Sequence, residues 1–393
     1  MPIDFIAESN AMRDELIARR RDFHMHPEIA FEEYRTANIV AEELNKLGLE
    51  VQTGVGKTGV VAVLEGDHDG PTVLVRADMD ALPIHEANET DYNSTVDGKM
   101  HACGHDGHTA IALGVAKLFS NNRDKLAGRI KFVFQPAEEL GEGAKAMVDD
   151  GVLQNPRPDV SIGLHLWNTS PVGAINVKSG PVMAGISRFE IEIKGKGGHG
   201  AMPHETIDPI VCAAQMTLAF QTIVSRNASP LESVVFSIGK IEAGNAHNVI
   251  PASARLYGTY RMYSEDMREL VTKRLYDIAE HTALAMGCEA TVEVEHQGLP
   301  VVNDEGVTQK LREAWVKLGK EDDFFYEMTT ASEDVARLMD DIPGMFFFLG
   351  SGNEEKGLNY GHHHPRFDFD EEVLPIGVAL LSAAVAEYIV GEG

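Results

Sequence analysis

A cysteine and a histidine separated by one glycine occupy positions 103 and 105, within the segment MHACGHDGHTA. A helical pattern begins directly afterwards, so Cys103 and His105 would lie on a turn from which both side chains can reach one metal ion. Thiolate and imidazole are ligands that Zn²⁺ and neighbouring transition metals favour, whereas Ca²⁺ and Mg²⁺ prefer oxygen. An isolated pair of this kind is more often a buried cysteine with histidines that cap a helix, so a metal site requires further ligands.

Two adjacent glutamates, Glu138 and Glu139, follow a short apolar strand in FVFQPAEE. Open α/β sheets bind their ligands at the carboxyl ends of the strands, which is where these acids would lie. Because adjacent side chains on non-helical backbone point in different directions, one carboxylate could bind a metal while the other acts as a general base. A bare Glu-Glu pair is usually a solvated surface pair, but its position after an apolar strand and a proline favours the functional interpretation.

Two further histidines complete a possible ligand set: His165 ends an apolar strand in SIGLHLW, and His363 lies in GHHHPRFDFDE. Alone, each would be interpreted as a core histidine or as part of a polar loop. Together with Cys103, His105 and Glu139 they give five potential ligands on strand ends or loops of one predicted sheet. Five ligands are too many for one tetrahedral zinc with an open position, so the sequence predicts two divalent metal ions that share a thiolate or a water. We expect Zn²⁺, with Mn²⁺, Co²⁺ or Ni²⁺ as alternatives.

The apolar patterns that would position these residues predict an α/β fold with a mostly parallel sheet and helices on both faces. Helices are predicted at 5–21 and 34–47, and strands at 59–64, 72–77, 130–135 and 160–166. The order then becomes strand 189–194, helix 209–225, strands 233–241 and 254–262, helix 265–286 and strand 290–295. This βαββαβ order is typical of a ferredoxin-like α+β domain. Segments 305–318, 335–339, 345–349 and 371–390 resume the first pattern, so we predict a metal-binding domain of residues 1–184 and 297–393, interrupted by a smaller domain, 185–296.

The composition argues against several classes of partner. A formal net charge of −27 disfavours nucleic acid and anionic membrane surfaces, which need clustered Lys and Arg. The N-terminal segment mixes charged and apolar residues, unlike a secretory signal, and no apolar stretch approaches the roughly 18 residues that cross a bilayer. Cys103, Cys212 and Cys288 are widely spaced, which fits a reducing compartment. We therefore expect a cytoplasmic protein that acts on a small molecule.

Ten segments, in order along the chain, resemble the hippurate hydrolase and auxin-conjugate (IAA-amino acid) amidohydrolase branch of the aminoacylase and carboxypeptidase superfamily of metallohydrolases. They are RDFHMHPE, RADMDALPI, MHACGHDGHTA, FQPAEE, GLHLW, GKGGHGAMPH, AHNVIP, GTYR, ASED and HHHPRFDFDE. The resemblance implies an enzyme that uses two metal ions per subunit and a metal-activated water to cleave the amide bond of N-acyl amino acids. It implies that Cys103 bridges the metals, that Glu138 is the general base, and that the other ligands are His105, Glu139, His165 and His363.

The resemblance also implies roles for four residues outside this ligand set. Asp80, in RADMDALP, would orient a ligand or the base beside the metals. His199, in GGHGAMPH, would stabilise the developing oxyanion, reaching in from the partner subunit of a homodimer or higher homo-oligomer formed through the smaller domain. Asn248, in HNVIP, and Arg261, in GTYR, would hold the substrate carboxylate. Without the resemblance, a turn cap, a loop histidine and a solvated arginine are the ordinary interpretations of Asp80, His199 and Arg261.

One position departs from the family pattern. Relatives commonly have a leucine where this chain has His362, so three consecutive histidines precede Pro365. The family spacing puts the ligand two residues before the proline, which selects His363 and leaves His364 as the alternative.

Other functions remain open at the level of sequence. A metallo-carboxypeptidase or dipeptidase would use the same site. A thiol hydrolase would use Cys103 as the nucleophile and His105 as its base, and it would be indifferent to chelators. A non-catalytic binding protein with a structural metal would have closed coordination and no role for Glu138.

Overall fold

The computed structural model describes residues 3–320 and 324–390. Its helices are α1 (Phe5–Ala11), α2 (Arg13–Met25), α3 (Tyr34–Lys46), α4 (His105–Ser120), α5 (Gly143–Asp149), α6 (Pro209–Thr222), α7 (Glu265–Ala285), α8 (Glu305–Lys317), α9 (Ala336–Met339) and α10 (Val373–Ile389). Its strands are β1 (Glu50–Val55), β2 (Gly59–Glu65), β3 (His68–Asp78), β4 (Ala127–Gln135), β5 (Val160–Pro171), β6 (Ile175–Asn176), β7 (Gly180–Met183), β8 (Gly185–Lys194), β9 (Gly198–His199), β10 (Val235–Ala243), β11 (Val249–Ile250), β12 (Ser253–Met262), β13 (Glu289–Gly298), β14 (Val301–Asn303) and β15 (Gly344–Gly352).

The chain forms two compact units. The first comprises Met1–Gly180, Val302–Glu327 and Asp334–Gly393, and the second comprises Pro181–Val301 with Met328–Glu333. The second unit is therefore longer at both ends than the predicted insertion, 185–296. It also includes a short segment, Met328–Glu333, that the predicted boundaries assigned to the first domain.

The first unit is built on a sheet with the strand order β1-β2-β4-β3-β5-β15-β6. The central pairings, β4–β3, β3–β5 and β5–β15, are parallel, whereas β1–β2, β2–β4 and β15–β6 are antiparallel. Five of the seven strands, all except β2 and β6, run in the same direction, so this large, mostly parallel sheet with helices confirms the predicted α/β fold. The sequence patterns missed the edge strands β1 and β6, and they predicted one N-terminal helix where the chain has two, α1 and α2, separated at Met12.

The parallel strands bring the acidic segments to one edge of this sheet. Asp78 ends β3 and Gln135 ends β4, and these two residues are register partners. Because the carboxyl ends of adjacent parallel strands meet at the same edge, the segments that follow them leave the sheet side by side. Asp80 lies on the first of these segments, and Glu138 with Glu139 lies on the second.

The core of the first unit includes two helices that are buried along most of their length, α4 and α10. They approach each other closely at Gly377, where an added Cβ would lie 2.6 Å from Cδ1 of Ile111, so a larger residue would force the helices apart. Among the described helices, none combines the length and apolar character that crossing a lipid bilayer requires.

The second unit contains an antiparallel sheet with the strand order β10-β12-β8-β13. With α6 and α7, the chain order is β8-α6-β10-β12-α7-β13, which confirms the predicted ferredoxin-like arrangement. Alternate residues of β8, Phe189, Ile191 and Ile193, belong to the buried core that these helices share. The intervening Glu190 and Glu192 therefore point to the opposite face of the sheet.

A buried ionic network in the first unit joins α2 to the start of α4 and to the segment before α10. Arg20, fully buried, donates from Nε to Asp106 Oδ2 (2.9 Å) and from Nη2 to Asp368 Oδ1 (2.7 Å). His24 Nδ1 lies 2.8 Å from Asp106 Oδ2, and its Nε2 lies 3.2 Å from Glu86 Oε1. Burial and Arg20 lower the pKa of His24, but the hydrogen bonds to Asp106 and Glu86 outweigh them and raise it to about 9. The network thus contains two buried cations among several carboxylates.

Replacing Arg20 with methionine is expected to lower the free energy of unfolding by about 3–5 kcal/mol, because the Asp368 carboxylate would remain buried without its cation. Urea denaturation followed by circular dichroism measures the change. Arg13→Met is the matched control: Arg13 pairs with Glu372 where both side chains are 41–47% exposed, and such pairs contribute at most about 1 kcal/mol. Equal losses in the two variants would contradict the role of the buried network.

Candidate metal centre

Cys103 and His105 flank the turn at which α4 begins. His105 is the first residue of the helix, and Gly104 before it has φ of +95°, a left-handed conformation that glycine adopts at little steric cost. The adjoining Ala102 accepts a hydrogen bond through its carbonyl from the backbone N–H of His363 (2.8 Å). This bond brings the C-terminal histidine segment beside Cys103.

The five ligand residues predicted from the sequence converge in two groups that share one sulfur. Cys103, His105 and His165 form the first group, and Cys103, Glu139 and His363 form the second. Within each group, one possible ligand atom per residue lies within 4.8 Å of the others. The Cys103 sulfur is 3.5 Å from His165 Nε2, and His363 Nε2 is 3.3 Å from Glu139 Oε1.

The donor atoms of this cluster suit a metal cation. His105 Nδ1 donates to the carbonyl oxygen of Asp80 (2.8 Å), which leaves Nε2 to face the cluster; this nitrogen is buried and has no hydrogen-bond partner among the described residues. Burial lowers the pKa of His105, but the carboxylates of Asp78, Asp80 and Glu139 outweigh burial and raise it to about 10. An electrostatic field that favours a proton on this ring also favours a divalent cation beside it.

His165 has the opposite electrostatic environment. Burial and the neighbouring His108 and His362 hold the pKa of His165 well below its usual value, so the ring stays neutral, as a metal ligand must. Its Nδ1 donates to the carbonyl oxygen of Leu166 (2.7 Å), which turns Nε2 toward Cys103. A sulfur, three imidazoles and a carboxylate therefore fit a pair of borderline metal ions.

Asp80 holds the two adjacent glutamates through their backbone. Its Oδ1 accepts from the N–H of Glu138 (3.1 Å) and its Oδ2 from the N–H of Glu139 (3.0 Å). Glu138 Oε2 lies 4.0 Å from His105 Nε2, at the border of the cluster. Asp80 thus fixes the turn on which the predicted base and a predicted ligand stand.

The structure distinguishes the three consecutive histidines. His363, with φ of +63°, faces Glu139, whereas the half-buried His362 lies with Nε2 3.0 Å from the carbonyl oxygen of Leu166. His364 stacks on Tyr360 with ring centroids 4.6 Å apart. The geometry therefore places His363 in the cluster and the two neighbouring histidines outside it.

Sequence reasoning missed the pair formed by Asp78 and His108. His108 Nδ1 lies 2.6 Å from Asp78 Oδ1, and His108 Nε2 accepts from the N–H of Leu166 (2.9 Å). The pair thus supports the strand segment that holds His165. Two signals were available: His108 follows His105 by three positions, on the same face of α4, and Asp78 lies two residues before Asp80.

The predicted substrate-binding residues of the second unit do not all lie together. His199 pairs with Val249 between β9 and β11, and the N–H of Gly200 donates to the carbonyl oxygen of Asn248 (2.9 Å). Both residues lie beyond the end of the β8–β12 ribbon at which Lys194 pairs with Ser253, whereas Arg261 pairs with Ile186 near the other end. The eight steps from Ser253 to Arg261 span about 25 Å. Asn248 and Arg261 of one subunit therefore cannot bind the same small carboxylate.

Arg261 is oriented by the segment Met328–Glu333. Its Nη1 donates to the carbonyl oxygen of Thr330 (2.8 Å) and to the hydroxyl of Ser332 (2.8 Å). Burial lowers the pKa of Arg261, but the group remains a cation because an arginine pKa lies far above neutrality.

Comparison with known proteins gives a consistent set of relatives. Peptidase family M20/M25/M40 matches residues 74–387. N-acetyl-L-cysteine deacetylase of Bacillus subtilis (strain 168) is 40% identical over 365 residues, which cover 93% of this chain and 86% of that protein. IAA-amino acid hydrolase ILR1-like 4 of Arabidopsis thaliana is 39% identical over 389 residues, covering 98% and 88% of the two chains. The crystal structure of the Bacillus subtilis YXEP protein, a dinuclear metal binding peptidase from the M20 family, superposes with a TM-score of 0.85 at 36% identity and covers 95% of this chain and 98% of that one.

The two sequence relatives match nearly the whole chain, and the solved structure shares its fold; the names of all three describe hydrolysis of amide bonds. The metal-dependent amide hydrolysis expected from the cysteine, histidine and glutamate cluster is the chemistry of this group. The chain is a hydrolase of amide bonds and belongs to Peptidase family M20/M25/M40.

Proposed function

We propose that this enzyme cleaves the amide bond of N-acyl amino acids, with two divalent metal ions held around Cys103. The observation that carries the proposal is the sharing of one sulfur by two donor groups, one completed by His105 and His165 and the other by Glu139 and His363. These five residues would hold two divalent cations, which would supply Lewis-acid chemistry suited to hydrolysis at a carbonyl.

The protein groups around the cluster would divide the reaction among them. Two bound cations would polarise the scissile carbonyl and lower the pKa of the attacking water toward neutrality. Glu138 would take the proton of that water as the water oxygen bonds to the carbonyl carbon. When the C–N bond breaks, Glu138 returns the proton to the leaving amine. Asp80 keeps Glu138 in position through the backbone bond described above.

The names of two relatives support an N-acyl amino acid as the substrate. One is a deacetylase of N-acetyl-L-cysteine and the other a hydrolase of IAA–amino acid conjugates. Substrates of both kinds join an acyl group to an amino acid whose carboxylate remains free, and an arginine such as Arg261 can bind that carboxylate through two parallel hydrogen bonds. Hippurate is benzoyl-glycine and falls in the same class. The alternative is a carboxypeptidase or dipeptidase activity at the same site, which the description of the YXEP protein as a peptidase favours.

A hydrolysis screen separates these substrates. Metal-stripped enzyme would be reconstituted with Zn²⁺, Mn²⁺, Co²⁺ or Ni²⁺ and offered acetyl, benzoyl, succinyl and indole-acetyl amino acids beside matched dipeptides, with amine release as the readout. We expect hydrolysis of N-acyl amino acids that depends on added metal. Faster cleavage of dipeptides with a free amino terminus than of their N-acylated counterparts would overturn the N-acyl assignment.

The ligand set supports Zn²⁺ as the resident ion, with Mn²⁺, Co²⁺ or Ni²⁺ as alternatives, because sulfur, nitrogen and oxygen ligands together suit borderline metals. We also propose a cytoplasmic location. Within the described residues, Cys103, Cys212 and Cys288 form no disulfide, which fits a reducing compartment.

We propose in addition that the enzyme is a homodimer or higher homo-oligomer formed through the second unit. Ile210, Val211 and Leu218 on α6 are 44%, 49% and 67% exposed, and β10 is an edge strand of its sheet. Exposed apolar side chains beside an open strand edge are typical of a surface that pairs with another chain. A partner subunit could also supply His199 and Asn248 to the site in which Arg261 binds the substrate carboxylate. Asn248 and Arg261 of different subunits could then act on one substrate, although within one subunit they lie too far apart.

Mixing two inactive variants tests this composite site. Glu138→Gln and His199→Ala proteins, each inactive alone, are expected to regain about a quarter of wild-type kcat when they are unfolded and refolded together. Half of the dimers would then contain one subunit of each variant. Each of these mixed dimers would have one intact site out of two. Refolding each variant alone is the control. No recovery in a sample shown to contain mixed dimers would mean that His199 serves its own subunit.

A further inference from the structure

The segment between α2 and α3 touches both acidic segments of the candidate metal centre. The carbonyl oxygen of Glu28 accepts from the N–H of Ala81 (2.8 Å), the residue after Asp80. At the other end of the segment, Glu33 Oε1 accepts from the N–H of Ala137 (2.9 Å), the residue before Glu138. Glu28 also fixes the segment to α3, because its carboxylate accepts from the N–H groups of the first turn.

Two buried carboxylates bind three consecutive N–H groups of the turn after β4. Glu33 binds the N–H of Ala137, and Asp80 binds those of Glu138 and Glu139. Ala137 has φ of +51°, a left-handed conformation that costs a non-glycine residue about 1–2 kcal/mol. Such a conformation persists only where its surroundings hold it. The turn that presents Glu138 and Glu139 therefore depends on both acids.

Burying the Glu33 carboxylate at this contact costs free energy. Its side chain is fully buried, and burial raises the pKa of the carboxyl, opposed by the hydrogen bonds from Thr58 and Ala137. Oε1 accepts from the N–H of Phe31 (3.0 Å) as well as from Ala137, and Oε2 accepts from the Thr58 hydroxyl. A buried carboxylate is tolerated only when it is hydrogen-bonded in this way.

We propose that Glu33 is a positioning residue of the active site, which fixes the turn of Glu138 and Glu139 through the N–H of Ala137. The inference rests on the proposed function, because it takes Glu138 as the base and Glu139 as a ligand. A displacement of about 1 Å at a reacting group costs on the order of 10²-fold in rate. Loss of the Glu33 contact therefore acts on kcat and on metal coordination more than on KM.

Two substitutions test separately whether the length or the charge of the Glu33 side chain matters. Glu33→Asp keeps the charge but is one methylene too short to reach Ala137, so we expect kcat to fall about 10- to 100-fold with little change in KM. Glu33→Gln loses the charge but keeps the reach: its amide oxygen can accept from Phe31 and Ala137, and its NH₂ can donate to Thr58. We expect Glu33→Gln to keep kcat within about 3-fold of wild type.

The visible absorption of the Co²⁺-reconstituted proteins gives a readout independent of turnover. Glu33→Asp is expected to show a changed Co²⁺ spectrum, because Glu139 shifts with the turn, whereas Glu33→Gln should show the wild-type spectrum. Asn122→Ala is the control for general loss of stability: Asn122 is a buried polar residue just after the far end of α4, about 25 Å from His105 along the helix. It should keep both the spectrum and kcat of the wild type.

The outcomes distinguish the inference from the proposed function. A Glu33→Asp enzyme with wild-type kcat and spectrum, or a Glu33→Gln enzyme as impaired as Glu33→Asp, would overturn the positioning role. A wild-type protein that binds Co²⁺ but cleaves no N-acyl amino acid would overturn the proposed function. The Co²⁺ spectra of the variants would still test Glu33 in that case.

Discussion

Glu138→Gln is expected to lower kcat by about 10³-fold or more, at the upper end of what a general base contributes. Glutamine has the shape of glutamate but cannot take a proton from the attacking water. The metal content should stay unchanged, because Glu138 belongs to neither of the two groups built on Cys103. Kinetics and elemental analysis on the same dialysed sample measure both quantities.

Glu142→Gln is the matched control for this substitution. Glu142 is an exposed glutamate four residues later, at the start of α5, so the same chemical change there should leave kcat at the wild-type value. A Glu138→Gln enzyme with nearly wild-type turnover would remove Glu138 from the mechanism. Loss of metal together with turnover would instead make Glu138 a ligand.

Cys103→Ala is expected to lose both metal ions, because Cys103 is the residue that the two donor groups share. We expect kcat to fall by at least about 10³-fold as a result. Cys103→Asp should retain part of the metal and part of the activity, because a carboxylate can also bridge two cations. Elemental analysis after dialysis, beside kcat with and without a chelator, gives the comparison.

Cys212→Ala is the control, because Cys212 is a buried cysteine of the second unit and should not affect metal content. The same series tests the thiol-hydrolase alternative. A nucleophilic Cys103 would make the alanine and aspartate variants equally inactive and would leave the wild type active after metal removal. Both His105 and His165 belong to a donor group of Cys103, and His165 Nε2 lies 3.5 Å from the sulfur. The metal-removal comparison therefore distinguishes the two mechanisms.

The elements that position the metal centre were predictable because their signals are local. Apolar runs predicted the strands that end before Asp80 and Glu138, and a change of period predicted the βαββαβ order of the second unit. Residue type and position on strand ends or loops pointed to Cys103, His165 and the pair of Glu138 and Glu139 as candidates, and the family resemblance selected Glu139 as the ligand. Three adjacent histidines could not be separated by pattern alone, because their difference depends on the φ of His363 and on the contact of His362 with Leu166.

The residues that hold the site in place without belonging to the ligand set were not predictable in the same way. Glu33 stands in FEEY, which has the appearance of a charged helix start, and its contact with Ala137 joins positions 104 residues apart. Arg20 has the spacing of an ordinary surface arginine on a charged helix, yet it is fully buried against Asp106 and Asp368. The separation of Asn248 from Arg261 follows from strand register, which a single sequence does not specify.

The interrupted first unit has a consequence for synthesis on the ribosome. β5, which carries His165, pairs with β15 across a stretch that includes the whole second unit, and His363 lies beyond β15. A nascent chain that ends before β15 therefore has the first donor group but cannot complete the second. Contacts of such long range form late in folding. In the proposed two-metal enzyme, the second ion would bind only when translation is nearly finished. Pulse-labelled intermediates should then acquire their metals in two stages, separated by the time needed to make the inserted unit.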